Sequence, residues 1–262
     1  MILDDIVTHK REEIAQLKAR VPVTELERRA DRQSAPIDFA ATLRGPGVSV
    51  IAEVKRASPS KGTFAPGLHA EEIAAQYAEG GAAAISVLTD RRFFLGDLED
   101  LASVRRAVGD ALPILRKDFL LDRRQVVEAR AFGADAVLLI VRILTDDELV
   151  ELLEETRRWG MSSLVEVHDE DDVARIVQRA PPVVGINHRN LSDFTVDVTA
   201  FARLRRLLPE DAVVVAASGI RRAQDVADAG AAGADAVLVG EALVTASDPL
   251  AKVRELVVGG AA

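Results

Sequence analysis

Three glycine-led apolar segments, GAAAISVL from Gly81, GADAVLLI from Gly133 and GADAVLVG from Gly233, lie 52 and 100 residues apart in a chain of 262. Those distances are two and four intervals of about 25, the length of one strand plus one helix. Together with a chain length close to that of a closed barrel, they predict an α/β fold: a single (β/α)8 TIM barrel with an N-terminal helical extension. Glycine at the head of each repeat suits the left-handed stop of the preceding helix.

In chain order, residues 1–45 come first and read as helical over LDDIVTHKREEIAQLKAR and VTELERRAD. They form an extension packed on the barrel, so that residues 1–262 make one domain and residues 46–262 its barrel. Short apolar runs then predict strands at Ser49–Val54, Ala83–Leu88, Pro113–Arg116, Ala136–Ile140, Ser163–Val167, Val183–Ile186, Val213–Ala216 and Ala236–Val239. Helical segments fill the gaps, as in TDDELVELLEETRRWG, where Thr145 is the N-cap and Gly160 the stop. A doubly wound open sheet is the rival arrangement; eight evenly spaced units favour closure.

The chain is 48% hydrophobic and 29% charged, enough for a real core. Its net charge of −9 lacks the basic footprint of a nucleic-acid binder, without excluding a small anionic substrate. There is no cysteine, which removes disulfides, thiolate ligands and cysteine nucleophiles. The four histidines show no metal-ligand spacing, so no metal site is expected. The N-terminus has no apolar block of a signal peptide, and the longest apolar run, AVLLIVRIL, is broken by Arg142. These features predict a cytoplasmic protein with no membrane partner.

In such barrels the chemistry sits at the C-terminal ends of the strands. The first strand carries Glu53 and Lys55 two residues apart, hence on one face. The third ends in Lys117, the fifth carries Glu166, the sixth ends in Asn187 and Arg189, the seventh in Ser218 and Gly219, and the eighth in Gly240 and Glu241. Any one of these fits a solvated strand end, and Glu53 with Lys55 also fits a structural ion pair. Six strands delivering polar groups at one level converge on one mouth. Gly219 and Gly240 lead into helices, where backbone N–H groups attract anions. Ser58, Ser60 and Lys61 of the first loop fold over the same point, which predicts a phosphate-ester substrate.

The motifs IAEVKRASPSKG, SVLTDRRFFLGDLEDL, PILRKDF, DAVLLI, LVEVH, GINHRNL and LVGEAL carry a resemblance to the indole-3-glycerol phosphate synthase family over essentially the whole chain. The resemblance implies a carbon–carbon lyase of tryptophan biosynthesis. Its reaction closes the indole ring of 1-(o-carboxyphenylamino)-1-deoxyribulose 5-phosphate with loss of carbon dioxide and water. No cofactor is implied, and the expected working form is a monomer acting on a small phosphorylated substrate.

Carried over by residue, Lys117 is the general acid on the ribulose carbonyl. Lys55 pairs with the anthranilate carboxylate and is a second candidate donor during dehydration. Glu166 and Glu53 handle the later protons, and Asn187 and Ser218 hydrogen-bond the reacting centre, with Arg189 near the carboxylate. Ser58, Ser60, Gly219, Gly240 and the Glu241 backbone hold the phosphate, while Phe94, Phe119 and Leu138 line the aromatic pocket.

Three positions depart from the family pattern. Ala217 stands where a glutamate is usual, His188 where a second asparagine is usual, and Asp97 where a serine is usual. Ala217 bears most on activity, because a carboxylate is lost beside two lysines. Two rival readings follow: a weakened or non-catalytic phosphate-ligand-binding paralogue, and a sugar-phosphate isomerase on the same barrel.

Overall fold

Val, Ile, Leu and Ala make up half or more of every barrel strand, as suits strands covered on both faces. The computed structural model describes residues 2–187 and 198–261. Its barrel strands are β1 (Ser49–Val54), β2 (Ala84–Leu88), β3 (Ile114–Lys117), β4 (Ala136–Ile140), β5 (Ser162–Val167), β6 (Val183–Asn187), β7 (Val213–Ala217) and β8 (Ala236–Val239). Among the described residues these eight close into one barrel, each strand beside its neighbours in sequence and β1 paired with both β2 and β8. Every barrel ladder is parallel; at the seam Ile51 pairs with Leu238 on one side and Ala84 on the other.

The predicted strands agree with the observed ones to within a residue, and the differences are informative. β3, β6 and β7 each run one residue further than their apolar runs suggest. Lys117 still pairs with Leu88, and Asn187 with Ala217. Polar side chains ended the hydrophobic pattern without ending the ladder, so Lys117 and Asn187 are carried by rigid strands rather than by loops.

The repeated glycines do one job three times. Gly81, Gly133 and Gly233 have φ of 92°, 92° and 94°. At each, the next residue's N–H reaches back to close the helix: Ala82 to Tyr77, Ala134 to Ala129 and Ala234 to Ala229. The 100-residue spacing extends to side chains. Arg105 Nε donates to Gly133 O at 3.0 Å and Arg205 Nε to Gly233 O at 3.1 Å. Asp135 accepts from Ile114 N, and Asp235 from Val214 N, both at 2.7 Å. The third and fourth units are thus built like the seventh and eighth.

Inside the barrel Ile51, Leu115, Leu138, Leu164, Val215 and Leu238 share one buried cluster. Outside it Val50, Ile85, Val137 and Val184 pack against helix residues such as Tyr77, Leu101 and Leu149. The helix Asp146–Arg158 begins on a reciprocal Thr145–Glu148 capping box and is followed by Gly160 at φ 68°, as its sequence predicts. At the N-terminus α1 (Ile2–Arg20) and α2 (Val23–Ala30) match expectation. A third helix, α3 (Phe39–Leu43), was not anticipated because five residues are too few to show a period. Its Phe39 and Leu43 are fully buried and join the cluster of the barrel interior.

The extension is bound to the barrel by charge as well as packing. Lys10 of α1 is 3% exposed and its Nζ lies 2.9 Å from Asp90, 2.9 Å from Asp118 and 2.6 Å from Glu13. At the far end of the chain, Gly260 O accepts from Val48 N at 2.7 Å, fastening the last helix to the start of β1.

Candidate active site

Alternation along β1 sends Ile51, Glu53 and Lys55 inward, and the barrel accepts the two charges because they meet. Lys55 Nζ is 2.9 Å from Glu53 Oε1. Burial pushes the Glu53 carboxyl up, but the Lys55 and Lys117 charges more than offset this and hold it below its ordinary value. Ser86 of β2 stands 3.5 Å from the other carboxylate oxygen. The backbone of Gly240, at the end of β8, packs against the same pair.

On β3 the alternation separates roles within PILRKDF. Lys117 faces the cavity and makes no ion pair or hydrogen bond through its ammonium among the described residues. Its neighbours Arg116 and Asp118 face the other way, into a buried network. Arg116 meets Asp118 at 3.1 Å and Glu128 at 3.0 Å, and Thr89 donates to Asp118 at 2.6 Å. Burial raises the Asp118 carboxyl, but Lys10 and Arg116 overcome that and hold it far below the usual carboxylate range. The strand end bearing Lys117 is therefore clamped from behind.

Across the mouth, Asn187 Nδ2 donates to Glu166 Oε1 at 3.2 Å, and Ser218 Oγ donates to Asn187 Oδ1 at 2.9 Å. Three consecutive strands thus contribute one hydrogen-bonded chain. Ser218 sits at φ 80°, a left-handed conformation that a non-glycine residue adopts at a cost of about 1–3 kcal/mol.

These groups open onto one cavity of about 1100 Å³. Of the predicted site residues, Glu53, Lys55, Ser58, Ser60, Phe94, Lys117, Phe119, Glu166, Asn187, Ser218, Gly219, Gly240 and Glu241 line it. Phe94 and Phe119 form an apolar corner, their ring centroids 6.0 Å apart. Leu138 does not line it; it lies one layer deeper in the barrel core, and Ile140, two residues on and on the same face, takes the expected place. Arg189 and His188 lie outside the described residues.

The turns at Gly219 and Gly240 differ from expectation in two respects. The helix after Gly219 starts only at Ala223, and its end is already occupied: Asp225 accepts from Arg221 N at 2.8 Å and Arg222 N at 2.9 Å. Gly240, by contrast, is the N-cap of the short helix Glu241–Val244, whose first-turn N–H groups have no partner within the helix. Lys61 does not enter the cavity. It pairs with the Glu241 carboxylate at 2.6 Å and so fixes the hairpin Ala57–Thr63 over the Gly240 turn.

Some contributors have no local signature in the sequence. Ile2, Leu3 and Ile6 of α1 line the cavity although they precede β1 by more than forty residues. Arg56 reaches Asp100 with two nitrogens and the carbonyls of Leu68 and Leu95, tying together the loops beside Lys55 and Phe94. Asp97, one of the departures, is accounted for structurally: it N-caps the helix Leu98–Val108 by accepting from Glu99 N at 3.0 Å, a role a serine shares. No cluster of candidate metal ligands occurs among the described residues. None of the described helices is long and apolar enough to cross a membrane.

The sequence model of the indole-3-glycerol phosphate synthase family matches residues 3–256. A protein named indole-3-glycerol phosphate synthase from Mycolicibacterium gilvum is 48% identical over 259 residues, covering 99% of this chain and 94% of the relative. Those of Streptomyces griseus and Kineococcus radiotolerans are 48% and 49% identical, each covering 99% of this chain and 96% of the relative. Among solved structures, a 3-hexulose-6-phosphate synthase superposes with a TM-score of 0.64 at 19% identity, covering 81% of this chain and 99% of that one, which supports the fold alone. A family match spanning nearly the whole chain, with relatives near half identity along their full length, establishes that this protein belongs to the indole-3-glycerol phosphate synthase family.

Proposed function

We propose that the chain is an active indole-3-glycerol phosphate synthase, a cytoplasmic, monomeric carboxy-lyase of tryptophan biosynthesis in which residues 1–262 work as one unit. The observation that carries this reading is the pairing of an uncommitted Lys117 ammonium with the committed Glu53–Lys55 pair on one cavity. One cation is ready to donate a proton, and the other is placed to hold a carboxylate.

In the proposed sequence, Lys117 protonates the ribulose carbonyl as the aromatic ring carbon attacks, and carbon dioxide leaves from the carbon that carried it. Lys55 holds the departing carboxylate, with Glu53 keeping the lysine oriented. Glu166, braced by Asn187 and Ser218, takes part in the proton exchange of dehydration. Phe94 and Phe119 receive the aromatic ring. Ser58, Ser60 and the turns at Gly219 and Gly240 receive the phosphate, with Gly240 and the Glu241 N–H as its principal donors. Positioned acids and bases of this kind contribute about 10²–10⁴ in rate. Purified protein mixed with the carboxyphenylamino-deoxyribulose phosphate should develop indole fluorescence, and a flat trace at high enzyme concentration would refute the proposal.

A second reading, a weakened synthase, has one observation in its favour. Ala217 faces the cavity beside Asn187 and Leu238, so the carboxylate usual at that position is missing from the mouth itself.

A further inference from the structure

One buried titratable side chain beside Glu166 has no part in the scheme above. His168 directly follows β5, two residues after Glu166, and its side chain is 4% exposed. Its Nε2 lies 3.5 Å from Glu166 Oε1, and its Nδ1 lies 3.6 Å from Asp172 Oδ2. Neither ring nitrogen has a hydrogen-bond partner among the described residues. An imidazole placed only to fill space would leave two buried polar atoms unmatched, an arrangement folded proteins avoid.

The surroundings explain what the ring is placed for. Asp172 is itself fixed, since it accepts from the His168 backbone N–H at 2.9 Å and lies 3.8 Å from Arg142. Arg142 is held in turn by Asp169 at 2.6 Å. On the other side Glu166 is held by Asn187. The ring therefore stands between two carboxylates that cannot easily withdraw. A neutral imidazole has one donor and one acceptor, so it satisfies two ionised carboxylates only if a further proton enters the group. When that proton arrives on Glu166, the acid O–H donates to Nε2 while Nδ1–H donates to Asp172, and every atom is matched. Moving the same proton onto Nε2 gives an imidazolium between two carboxylates, equally matched, with no other bond made or broken. Contacts of this kind are often long without substrate and tighten when it binds.

We infer that His168 is a positioning residue for Glu166, oriented by Asp172 and sharing with Glu166 the proton that the carboxylate exchanges with substrate. The inference rests on Glu166 being an acid–base group of the proposed reaction. The logic is that of an imidazole whose working nitrogen is set by a carboxylate behind it, here applied to a carboxylate in front.

The test compares His168→Phe, which keeps a ring without nitrogens, with His168→Gln, which restores a donor near the Nε2 position. The phenylalanine variant should lose about 10- to 100-fold in kcat with little change in KM, as expected when a reacting group is misplaced, and the glutamine variant should recover much of it. Wild-type kcat in folded His168→Phe, or equal losses in both variants, would overturn the inference. A second readout does not depend on turnover or on the folding of either variant. Long-range 1H–15N spectra of the wild-type protein and of Glu166→Gln should differ at the His168 ring nitrogens, and unchanged resonances would overturn it too. Absence of ring closure by the wild-type enzyme would instead refute the proposed function and leave the spectra to decide the Glu166–His168 contact.

Discussion

A methyl group added to Gly240 would stand 2.4 Å from Glu53 Oε1 and 3.2 Å from Lys55 Nζ. The turn assigned to the phosphate and the ion pair assigned to the carboxylate are thus in direct contact. Gly240 has φ −120°, so its lack of a side chain serves this close approach and not an unusual backbone. Gly240→Ala should displace the buried Glu53 carboxylate and lower kcat/KM by about 10², the penalty for a misplaced catalytic group. Steady-state kinetics on the folded variant checks this, and an unimpaired enzyme would show the pair to be more yielding than its burial implies.

Lys117→Ala removes a cavity-facing cation that makes no ion pair among the described residues. Because the clamp behind it runs through Arg116, Asp118 and Thr89, the fold should be retained. Turnover should drop by about 10²–10⁴, with an unchanged circular dichroism spectrum.

Ala217→Glu tests the weakened-enzyme reading. If the missing carboxylate limits the reaction, kcat should rise by up to about 10². No gain would show that the Glu166–Asn187–Ser218 chain already supplies what is needed.

Lys10→Met should unfold the protein more readily, because it takes the paired cation from buried Asp90 and leaves buried Asp118 with Arg116 alone. Loss of one partner from a buried ionic group costs about 3–5 kcal/mol, which for a chain of this size corresponds to a Tm lower by roughly 10 °C. Thermal scans of both proteins measure it.

That network and the Glu53–Lys55 pair set the acid limit of stability. Asp118 and Glu53 titrate below their ordinary values when folded. Their contribution is complete above the unfolded carboxyl pKa of about 4 and is lost as pH falls through the folded values. Lys10, whose ammonium is stabilised by Asp118 and Asp90 beyond its burial cost, contributes fully below about pH 10 and loses that contribution as pH rises through its higher folded value. The urea midpoint should therefore fall on acidification below about pH 4, and the fall should be shallower in Lys10→Met.

Much of this was legible in the residues. The glycine repeat marked where helices stop, and the alternation of Glu53 with Lys55 marked an inward pair, because both depend only on neighbours in sequence. The register was less legible: the family resemblance implies Leu138 for the place that Ile140 holds, and an apolar run of five residues does not itself show which member reaches the mouth. The helix after Gly219 reads as open-ended in the sequence, whereas Asp225 fills that end, a cap invisible until the start of the helix is known. Least legible were contacts across long stretches of chain. Nothing local ties Lys10 to Asp118, or Arg56 to Asp100, because partners so far apart meet only through the closed topology.

That topology has a consequence for synthesis. Ser49–Val54 is a seam strand, and its second partner, Ala236–Val239, is made only after the other six strands. Until that partner is made, the nascent sheet carries two bare edges rich in valine and isoleucine, the kind of surface that recruits other chains. Ribosome-bound fragments ending before Ala236 should accordingly clump or need a chaperone, and those that include the last helix, whose Gly260 carbonyl grips Val48, should not.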